Sequence, residues 1–599
     1  MRKHGPIILL TVAFVVLSLT RYIILAIYTP SGEDMPGQIA AARCYFEGAP
    51  CAEYWPPYLP PLYFTMVYGL YTVFGALGAA ALIQAFVPSL MVFPTYALLR
   101  SLDRPVIFSA LGAVIGGASA SLGVLAAWNG GYTLFGLVFY TGFVATLWNL
   151  YKKEGKPRWR SIVAPGLLFA AAVGSHELIG VLTTFTLLFV SASALLTRKK
   201  ASTVVVVSCV CIGSALAFAP FYLNYLSVLT NLRPPGAAPT LVGVISSLVT
   251  GPWGVDTNII VLIDATMTVV GLLVLRRSPN LLVVASMAGA YLLVVAVTPA
   301  NWDRAAVVLV PAMMVLLVTG VEWSGRRNRS VGVAFLFTIL IGNQLYSLVL
   351  FNNSAQTYSF FCGPRADCTG SDSEYYPVLD YLRTLPRGSV VYSTFMVTWT
   401  EAYAGLDAVG PYNLNGRVTA QSYYDAYYSD LVFLGRMNFG NSHFDVATLT
   451  NSTVIYLATG GFWKPIGAVN NGNVENADGN KLVMNGTLTF AKTAMCEHSC
   501  HMAMHVVVEG GGVVEVSGQG IVYDGEHITG RVVLTDTGPG NGDWGTSQPY
   551  THSSLELLRD LGVTHLVLSS KWDGDLYTWA LGQFDAVYSS GDVVVFAVA

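Results

Sequence analysis

The chain has 599 residues, of which 53% are hydrophobic and only 11% charged. A soluble protein carries roughly 25% charged residues, so the shortfall excludes a purely soluble enzyme, a disordered protein and a nucleic-acid binder. The net charge of −3 conceals a split: residues 1–351 hold 21 Lys+Arg and 11 Asp+Glu, a balance of +10, while residues 352–599 hold 11 and 24, a balance of −13. Two parts suited to different solvents are joined near residue 351.

The first part reads as a series of apolar stretches long enough to cross a bilayer, which takes about 20 residues each. The first runs from Pro6 to Tyr28 behind Met-Arg-Lys-His and has no small-residue cleavage site, so it reads as a retained span. Short cytoplasmic loops are enriched in Lys and Arg. The clusters Arg2/Lys3, Arg100/Arg104, Lys152 to Arg160, Arg198 to Lys200, Arg276/Arg277 and Arg326 to Arg329 hold 17 of the 21 basic residues of this part and mark the inner side. Between them lie the span pairs 105–128 with 131–150, 161–176 with 178–196, 202–226 with 257–275, and 280–298 with 305–322, followed by a last span at 331–351. Residues 58–99 contain two apolar runs, 60–76 and 79–99, where sidedness allows a single crossing. The first opens on Pro-Pro and is rich in Tyr and Phe, which suits an interfacial helix; the second is the span. The sum is about eleven spans, with the N-terminus cytoplasmic and the C-terminal domain outside the cell membrane.

The domain division follows: a multispan membrane domain over 1–351 with a first exterior loop at 29–78, and an exterior domain over 352–599 with a β-rich insert at about 463–540. Three close cysteine pairs fall in the exterior segments, Cys44/Cys51, Cys362/Cys368 and Cys496/Cys500, and an even exterior count fits disulfides in an oxidising compartment. In the exterior domain, strands are predicted at Ser389–Ser393, Val454–Leu457, Leu482–Phe490, Met504–Val508, Leu566–Ser569 and Val593–Val598. Helices are predicted at Leu555–Leu561 and Leu576–Leu581. The fold class is thus a polytopic α-helical membrane protein followed by an α/β plus β-rich exterior domain.

The candidate chemistry lies on the exterior face. Glu33 and Asp34 stand a few residues beyond the first span, ahead of a short helix over Gln38–Tyr45. An acidic pair at a membrane face can act as a base or bind a divalent cation such as Mg or Mn; an exposed loop charge or a helix cap is the alternative reading. His176 and Glu177 lie in GSHELIG between two spans, Asp303 and Arg304 in PANWDRAAVVLVP, and Arg233 in the long 227–256 loop. Arginine suits phosphate through its bidentate fork. Each of these also has a structural reading, as a snorkelling side chain or a tight-turn residue, and it is their joint placement on one side that favours function. Arg21 and Asp264 lie inside spans, where charges are costly and need partners, but the sequence does not name those partners.

With these residues in view, the chain resembles the GT-C superfamily of polyprenyl-phosphate-dependent membrane glycosyltransferases, in particular protein-mannosyltransferase-like members with an archaeal-type exterior C-terminal domain. The resemblance rests on Glu33-Asp34 after the first span, Gln38–Gly48, PPLYFTMVYGLYTVFG at 60–75, NGGYTLFGLVF at 129–139, GSHELIG, WDRAAVVLVP at 302–311, and the ending LGVTHLVLSS…FDAVYSSGDVVVFAV. It implies a GT-C fold and transfer of a sugar, with inversion, from a polyprenyl-phosphate donor to an extracytoplasmic glycan or protein acceptor. Asp34 or Glu33 would be the base or a metal ligand, and Arg304, His176, Glu177 and Arg233 would bind the lipid phosphate and its sugar. Membrane lipids are the other expected partner, and beyond a divalent cation no cofactor is implied. The acidic order here is Glu-Asp before Met-Pro, where family members carry Asp-Glu or a lone Asp before an aromatic. The oligosaccharyltransferase motif Trp-Trp-Asp-x-Gly is matched only by Gly542-Asp543-Trp544-Gly545, in a Gly-rich loop. A single-sugar transferase fits better than a block transferase.

Two other readings stay open on the sequence. The scaffold could anchor an exterior binding or assembly domain without catalysis, since fold does not dictate function. The stretch MCEHSCHMAMH at 495–505 concentrates Cys496, Cys500, His501 and His505, a soft ligand set for copper or zinc; a disulfide-tied hairpin is the preferred explanation and matches the other exterior pairs.

Overall fold

The computed structural model describes residues 5–27, 34–49, 60–128, 130–152, 157–196, 201–222, 259–297, 306–357, 375–393, 396–409, 443–449, 452–459, 462–478, 481–490, 504–508, 513–516, 527–536, 558–559, 562–570 and 574–598. Contacts divide the chain into two compact units, a helical one of Met1–Gly48, Trp55–Asn231 and Gly236–Ser373 and a sheet-rich one of Glu374–Ala599 with the short segments Ala49–Tyr54 and Leu232–Pro235.

The helical unit contains α1 (Gly5–Ile27), α2 (Asp34–Glu47), α3 (Pro61–Ser89), α4 (Val92–Ser101), α5 (Val106–Gly117), α6 (Ala120–Trp128), α7 (Gly131–Lys152), α8 (Trp159–Val173), α9 (Glu177–Leu196), α10 (Ala201–Ala215), α11 (Ile259–Leu275), α12 (Leu281–Val297), α13 (Leu309–Arg327) and α14 (Arg329–Thr357). Helices are what apolar chain can form in lipid, because every backbone polar group is then satisfied within its own segment. Among the described residues, eight helices are long and apolar enough to cross a membrane, and three more apolar helices, Trp159–Val173, Leu262–Leu275 and Leu281–Val295, are shorter. Together these match the expected spans one for one, and the chain is a multi-pass membrane protein. Many apolar side chains point outward, among them Ile7, Val12, Ile23, Leu188, Val205, Leu262 and Leu345, as lipid-facing surfaces require.

The doubled run at 60–99 is resolved by one residue. Pro61–Ser101 is a single apolar stretch of 41 residues, about twice what a crossing needs. Gly75 breaks it, with φ 70° and ψ −179° inside α3. A left-handed φ is open to glycine and strained for other residues. The aromatic piece 61–74 is thus separated from the crossing piece that follows, as the Pro-Pro entry and the Phe-Gly ending suggest. Pro60 and Pro61 start α3, the position at which a missing N–H costs nothing.

The charges inside the helical unit find partners that the sequence does not disclose. Arg21 is 2% exposed. It donates from Nη1 to Ser89 Oγ (2.7 Å) and from Nη2 to the Gly117 carbonyl (2.9 Å), and it lies 5.9 Å from the centre of the Phe351 ring. Asp264 accepts from Asn343 Nδ2 at 2.8 Å. Glu322 receives Arg104 at 3.0 Å and Arg326 at 2.5 Å. That cluster ties the α4–α5 link to α13 at the basic end.

The second unit holds two sheets. The strands are β1 (Val390–Ser393), β2 (Asp407–Val409), β3 (His443–Leu449), β4 (Ser452–Thr459), β5 (Phe462–Asp478), β6 (Lys481–Phe490), β7 (Met504–Val508), β8 (Val513–Val516), β9 (His527–Asp536), β10 (His565–Ser569), β11 (Asp585–Ser590) and β12 (Val593–Ala597). The first sheet has the order β11-β12-β10-β1-β2, with β1 parallel to both β10 and β2 and the rest antiparallel. Its core is Tyr392, Val409, Leu566, Leu568, Val594 and Phe596 with Ala580 from helix α16, and α15 (Tyr376–Leu382) and α16 (Gly574–Gln583) are its helices. The second sheet is antiparallel, in the order β3-β4-β5-β6-β9-β7-β8; it spans 443–536, so the β3–β4 hairpin belongs to the same sheet as the strands beyond residue 463. The strands expected from alternation at 482–490, 504–508, 566–569 and 593–598 are all present, within a residue or so. The expected helix at 555–561 lies almost wholly outside the described residues.

Replacing Ser89 by Ala leaves a guanidinium N–H of Arg21 without its acceptor, which is expected to cost about 1–3 kcal/mol. Ser18→Ala is the control, because Ser18 Oγ is buried without a hydrogen-bond partner among the described residues. Thermal unfolding in detergent checks this: Ser89→Ala melts below both the wild type and Ser18→Ala.

Candidate active site

Helix α2 carries the acidic motif onto the helical unit. Asp34 is its first residue, and its backbone alone is described; Glu33 lies outside the described residues. Met35, Gln38, Ile39, Ala40, Ala41 and Ala42 are buried, and the three small alanines let α2 lie close. Its far end is fixed by aromatic contact with α3: Tyr45 against Phe64 (5.5 Å between ring centres), Phe46 stacked on Tyr68 (4.7 Å), and the Arg43 guanidinium 5.0 Å from the Tyr71 ring. Arg43 also pairs with Glu47 at 3.0 Å. Cys44 is disulfide-bonded; Cys51 lies outside the described residues.

One turn beyond Asp34, Gln38 is fully buried and accepts a hydrogen bond from the Tyr63 hydroxyl. Tyr63 is fully buried as well, and its ring lies within 6.0 Å of Tyr132 and 5.9 Å of Phe135. Gly131 opens α7 against this pair. A Cβ built there would lie 2.6 Å from the Tyr63 hydroxyl, 3.0 Å from Ile83 Cγ2 and 3.3 Å from the Met35 methyl. The absent side chain is what lets α2, α3 and α7 meet.

The GSHELIG turn closes the other side. The Leu62 amide, in the first turn of α3, donates to the Gly174 carbonyl at 2.9 Å, and the Tyr222 hydroxyl donates to the Val173 carbonyl at 2.9 Å. His176 is 3% exposed. Its ring stacks on Tyr132, with centres 4.2 Å apart and planes at 14°. Its Nδ1 accepts the Leu178 backbone N–H at 2.9 Å, in the first turn of α9, and lies 3.7 Å from Glu177 Oε2. The start of α2, the first turns of α3 and α7, and the turn before α9 therefore share one end of the helical unit. A carboxylate-bearing helix start, a buried phenol–amide pair and an imidazole are brought together there.

Of the expected site residues, His176 and Glu177 are placed at this convergence, and Asp34 is placed by its backbone. Arg233 and Arg304 lie outside the described residues, although the buried turn Ala306–Val308 follows directly after the latter. Cys362, Cys368, Cys496, Cys500 and His501 also lie outside them, and His505 is placed only by register, opposite Glu515 on β8 and Thr535 on β9. Among the described residues no group of three or more His, Cys, Asp or Glu could hold a metal. Gln38, Tyr63 and Tyr132 were not expected as site residues. Their strings, PPLY and NGGYT, stand out in the sequence, but nothing in them says that their side chains meet.

Gly131→Ala forces a methyl group against the Tyr63 hydroxyl. It is expected to lower stability by about 1–3 kcal/mol and to weaken the Tyr63–Gln38 bond. Thermal unfolding of Gly131→Ala beside Gly131→Ala/Tyr63→Phe measures this; the double variant, relieved of the hydroxyl, should recover part of the loss.

No family model and no curated protein sequence matches the chain. Among solved structures, ArnT from Cupriavidus metallidurans in the apo state is similar over 69% of this chain and 91% of its own, at 14% identity and a TM-score of 0.50. The same protein bound to undecaprenyl phosphate is similar over 67% and 86%, at 16% identity and 0.47. The Archaeoglobus fulgidus oligosaccharyltransferase is similar over 72% of this chain and 68% of its own, at 12% identity and 0.45. The likeness to ArnT lies in fold: the chain is a multi-pass membrane protein that shares the fold of that protein and carries a sheet-containing second unit.

Proposed function

We propose that the protein is a membrane glycosyltransferase that moves a single sugar, with inversion, from a polyprenyl-phosphate donor to a glycan or protein acceptor outside the cell membrane. The observation that carries this reading is the convergence at one end of a GT-C-like helical unit: the start of the acidic helix α2, the Tyr63–Gln38 pair and the His176 turn. The shared fold with ArnT, for which an undecaprenyl-phosphate complex exists, supports the lipid-phosphate donor. In this reading the N-terminus is cytoplasmic and the convergent end faces out. The disulfide at Cys44 supports that sidedness, since disulfides persist in oxidising compartments.

The chemistry is a displacement at the anomeric carbon. The carboxylate of Asp34, or of Glu33, takes the proton of the acceptor hydroxyl. The hydroxyl oxygen bonds to the anomeric carbon, the bond from that carbon to the phosphate oxygen breaks, and the lipid phosphate leaves with the electron pair. Arg304 and His176 are the proposed donors to the charge that develops on the leaving oxygen, since donors aimed at developing charge lower the barrier most. Arg233 and Glu177 hold the phosphate and sugar. Glu33 and Asp34 are also the residues that would hold a divalent cation.

Asp34→Asn and Glu33→Gln are the test. Both variants should insert and melt like the wild type, and at least one should lose transfer from a polyprenyl-phosphate-linked sugar by about 100-fold or more, as expected when a general base is lost. Full transfer by both would remove the acidic motif from the reaction.

A further inference from the structure

The placement of His176 settles more than its proximity to the site. Its Nδ1 accepts the Leu178 amide at 2.9 Å. A nitrogen that accepts an N–H carries no proton of its own, so the proton of the neutral ring sits on Nε2. The Glu177 carboxylate, 3.7 Å from the same Nδ1, is too far for a hydrogen bond and does not compete with the amide. Leu178 is the second residue of α9 (Glu177–Leu196), so His176 stands where a capping side chain accepts one of the first helical N–H groups. The ring is fixed a second time by Tyr132, stacked at 4.2 Å and 14°. A stack nearly that parallel leaves the imidazole little freedom to rotate out of the plane in which Nδ1 meets the amide. Tyr132 is in turn set by the ring of Tyr63 at 6.0 Å.

We infer that His176 serves as a neutral hydrogen-bond donor through Nε2–H, its tautomer fixed by the Leu178 amide and its plane by Tyr132, and that Tyr132 is a positioning residue for it. This rests on the proposed transferase reading and sharpens it. The imidazole contacts the leaving phosphate oxygen as a dipole, not as a cation. A neutral donor is also the form that suits the N-terminal end of a 20-residue helix, where the helix dipole opposes a cation.

The cap and the donor can be separated by substitution. His176→Asn keeps an acceptor near the place of Nδ1, since Asn is a strong cap, but puts no donor where Nε2–H was. His176→Ala removes both. The expected result is that His176→Asn melts above His176→Ala, yet both lose transfer by about 100-fold, the range seen when one preorganised donor is deleted. Tyr132→Leu should lose about tenfold, with Tyr132→Phe recovering most of that loss because it keeps the stacked ring. The second readout is the ring-nitrogen NMR spectrum of protein labelled with 15N-histidine, with the His176 signals assigned by their disappearance in His176→Asn. A protonated Nε2 and an unprotonated Nδ1 are expected in the wild type and in Tyr132→Phe.

A spectrum with the proton on Nδ1, or on both nitrogens, overturns the inference. So does full transfer by His176→Asn beside an inactive His176→Ala, which would make His176 a cap only. The spectrum is recorded without substrate, so it decides the tautomer even where Asp34→Asn and Glu33→Gln keep full transfer and the transferase reading falls.

Discussion

The hydroxyl of Tyr63 is the point on which the convergent end of the helical unit depends. It belongs to α3, donates to Gln38 on α2, and occupies the space that Gly131 leaves at the start of α7. A phenol with no exposure must find a partner, and a buried amide must as well; here each satisfies the other. The bond also fixes rotation. Sliding α2 by one residue along α3 would turn Gln38 by about 100° around its helix and strand both groups in an apolar setting. The three consecutive buried alanines, Ala40 to Ala42, give closeness but no register of their own. The polar pair supplies the register, and Asp34, one turn earlier on α2, takes its place from it.

The same logic governs the charges deeper in the helices. Arg21 and Asp264 have opposite signs, yet each is met by neutral groups: a serine hydroxyl and a carbonyl for one, an asparagine amide for the other. Their nearest common element is α14. Asn343, Ser347 and Phe351 follow at intervals of four, all buried, and so share one face of that helix. Asn343 touches Asp264 at one end and Phe351 lies beside Arg21 at the other, about 12 Å apart along the axis. Bringing the two charges into contact would require removing both from every dipole around them, and that penalty can exceed the attraction gained. Kept apart, the Arg21 guanidinium is met by a hydroxyl and a carbonyl and Asp264 by the Asn343 amide through one oxygen, and α14 is gripped at two heights.

What was legible in the sequence follows from the same physics. Hydropathy and basic clusters disclosed the helices, because lipid imposes one requirement, continuous apolar length, that any window of residues displays. The division of the apolar stretch after Pro60 was legible for a related reason, because 41 residues are too many for one crossing; that the break falls at Gly75 was not. Strands such as Met504–Val508 were legible through alternation. Tyr63, Gln38 and Tyr132 were not, because their role consists of meeting across gaps of 25 (Gln38 to Tyr63) and 69 (Tyr63 to Tyr132) residues, and no local pattern encodes such a meeting. The partners of Arg21 were hidden likewise, at separations of 68 and 96 residues. The sequence could say that these ions need partners, but not which ones.

The turn before α9 shows why a non-helical segment at the end of a bundle deserves to be read as a rigid one here. A turn facing water could leave its carbonyls to solvent. This one does not: Val173 receives Tyr222, Gly174 receives the Leu62 amide, and His176 receives the Gly180 amide at 2.8 Å. Its next N–H is spent on the imidazole, and its imidazole is spent on a stack with Tyr132. Each of these bonds arrives from a different part of the chain: α3, the segment after α10, α9 itself and α7. A group held from so many directions does not have to reorganise when charge appears beside it, and that absence of reorganisation is the physical source of electrostatic catalysis. The fold thus places a turn held from several directions where the proposed reaction develops negative charge, and the acidic helix that would start the reaction is seated on the same tyrosine that sets the stack.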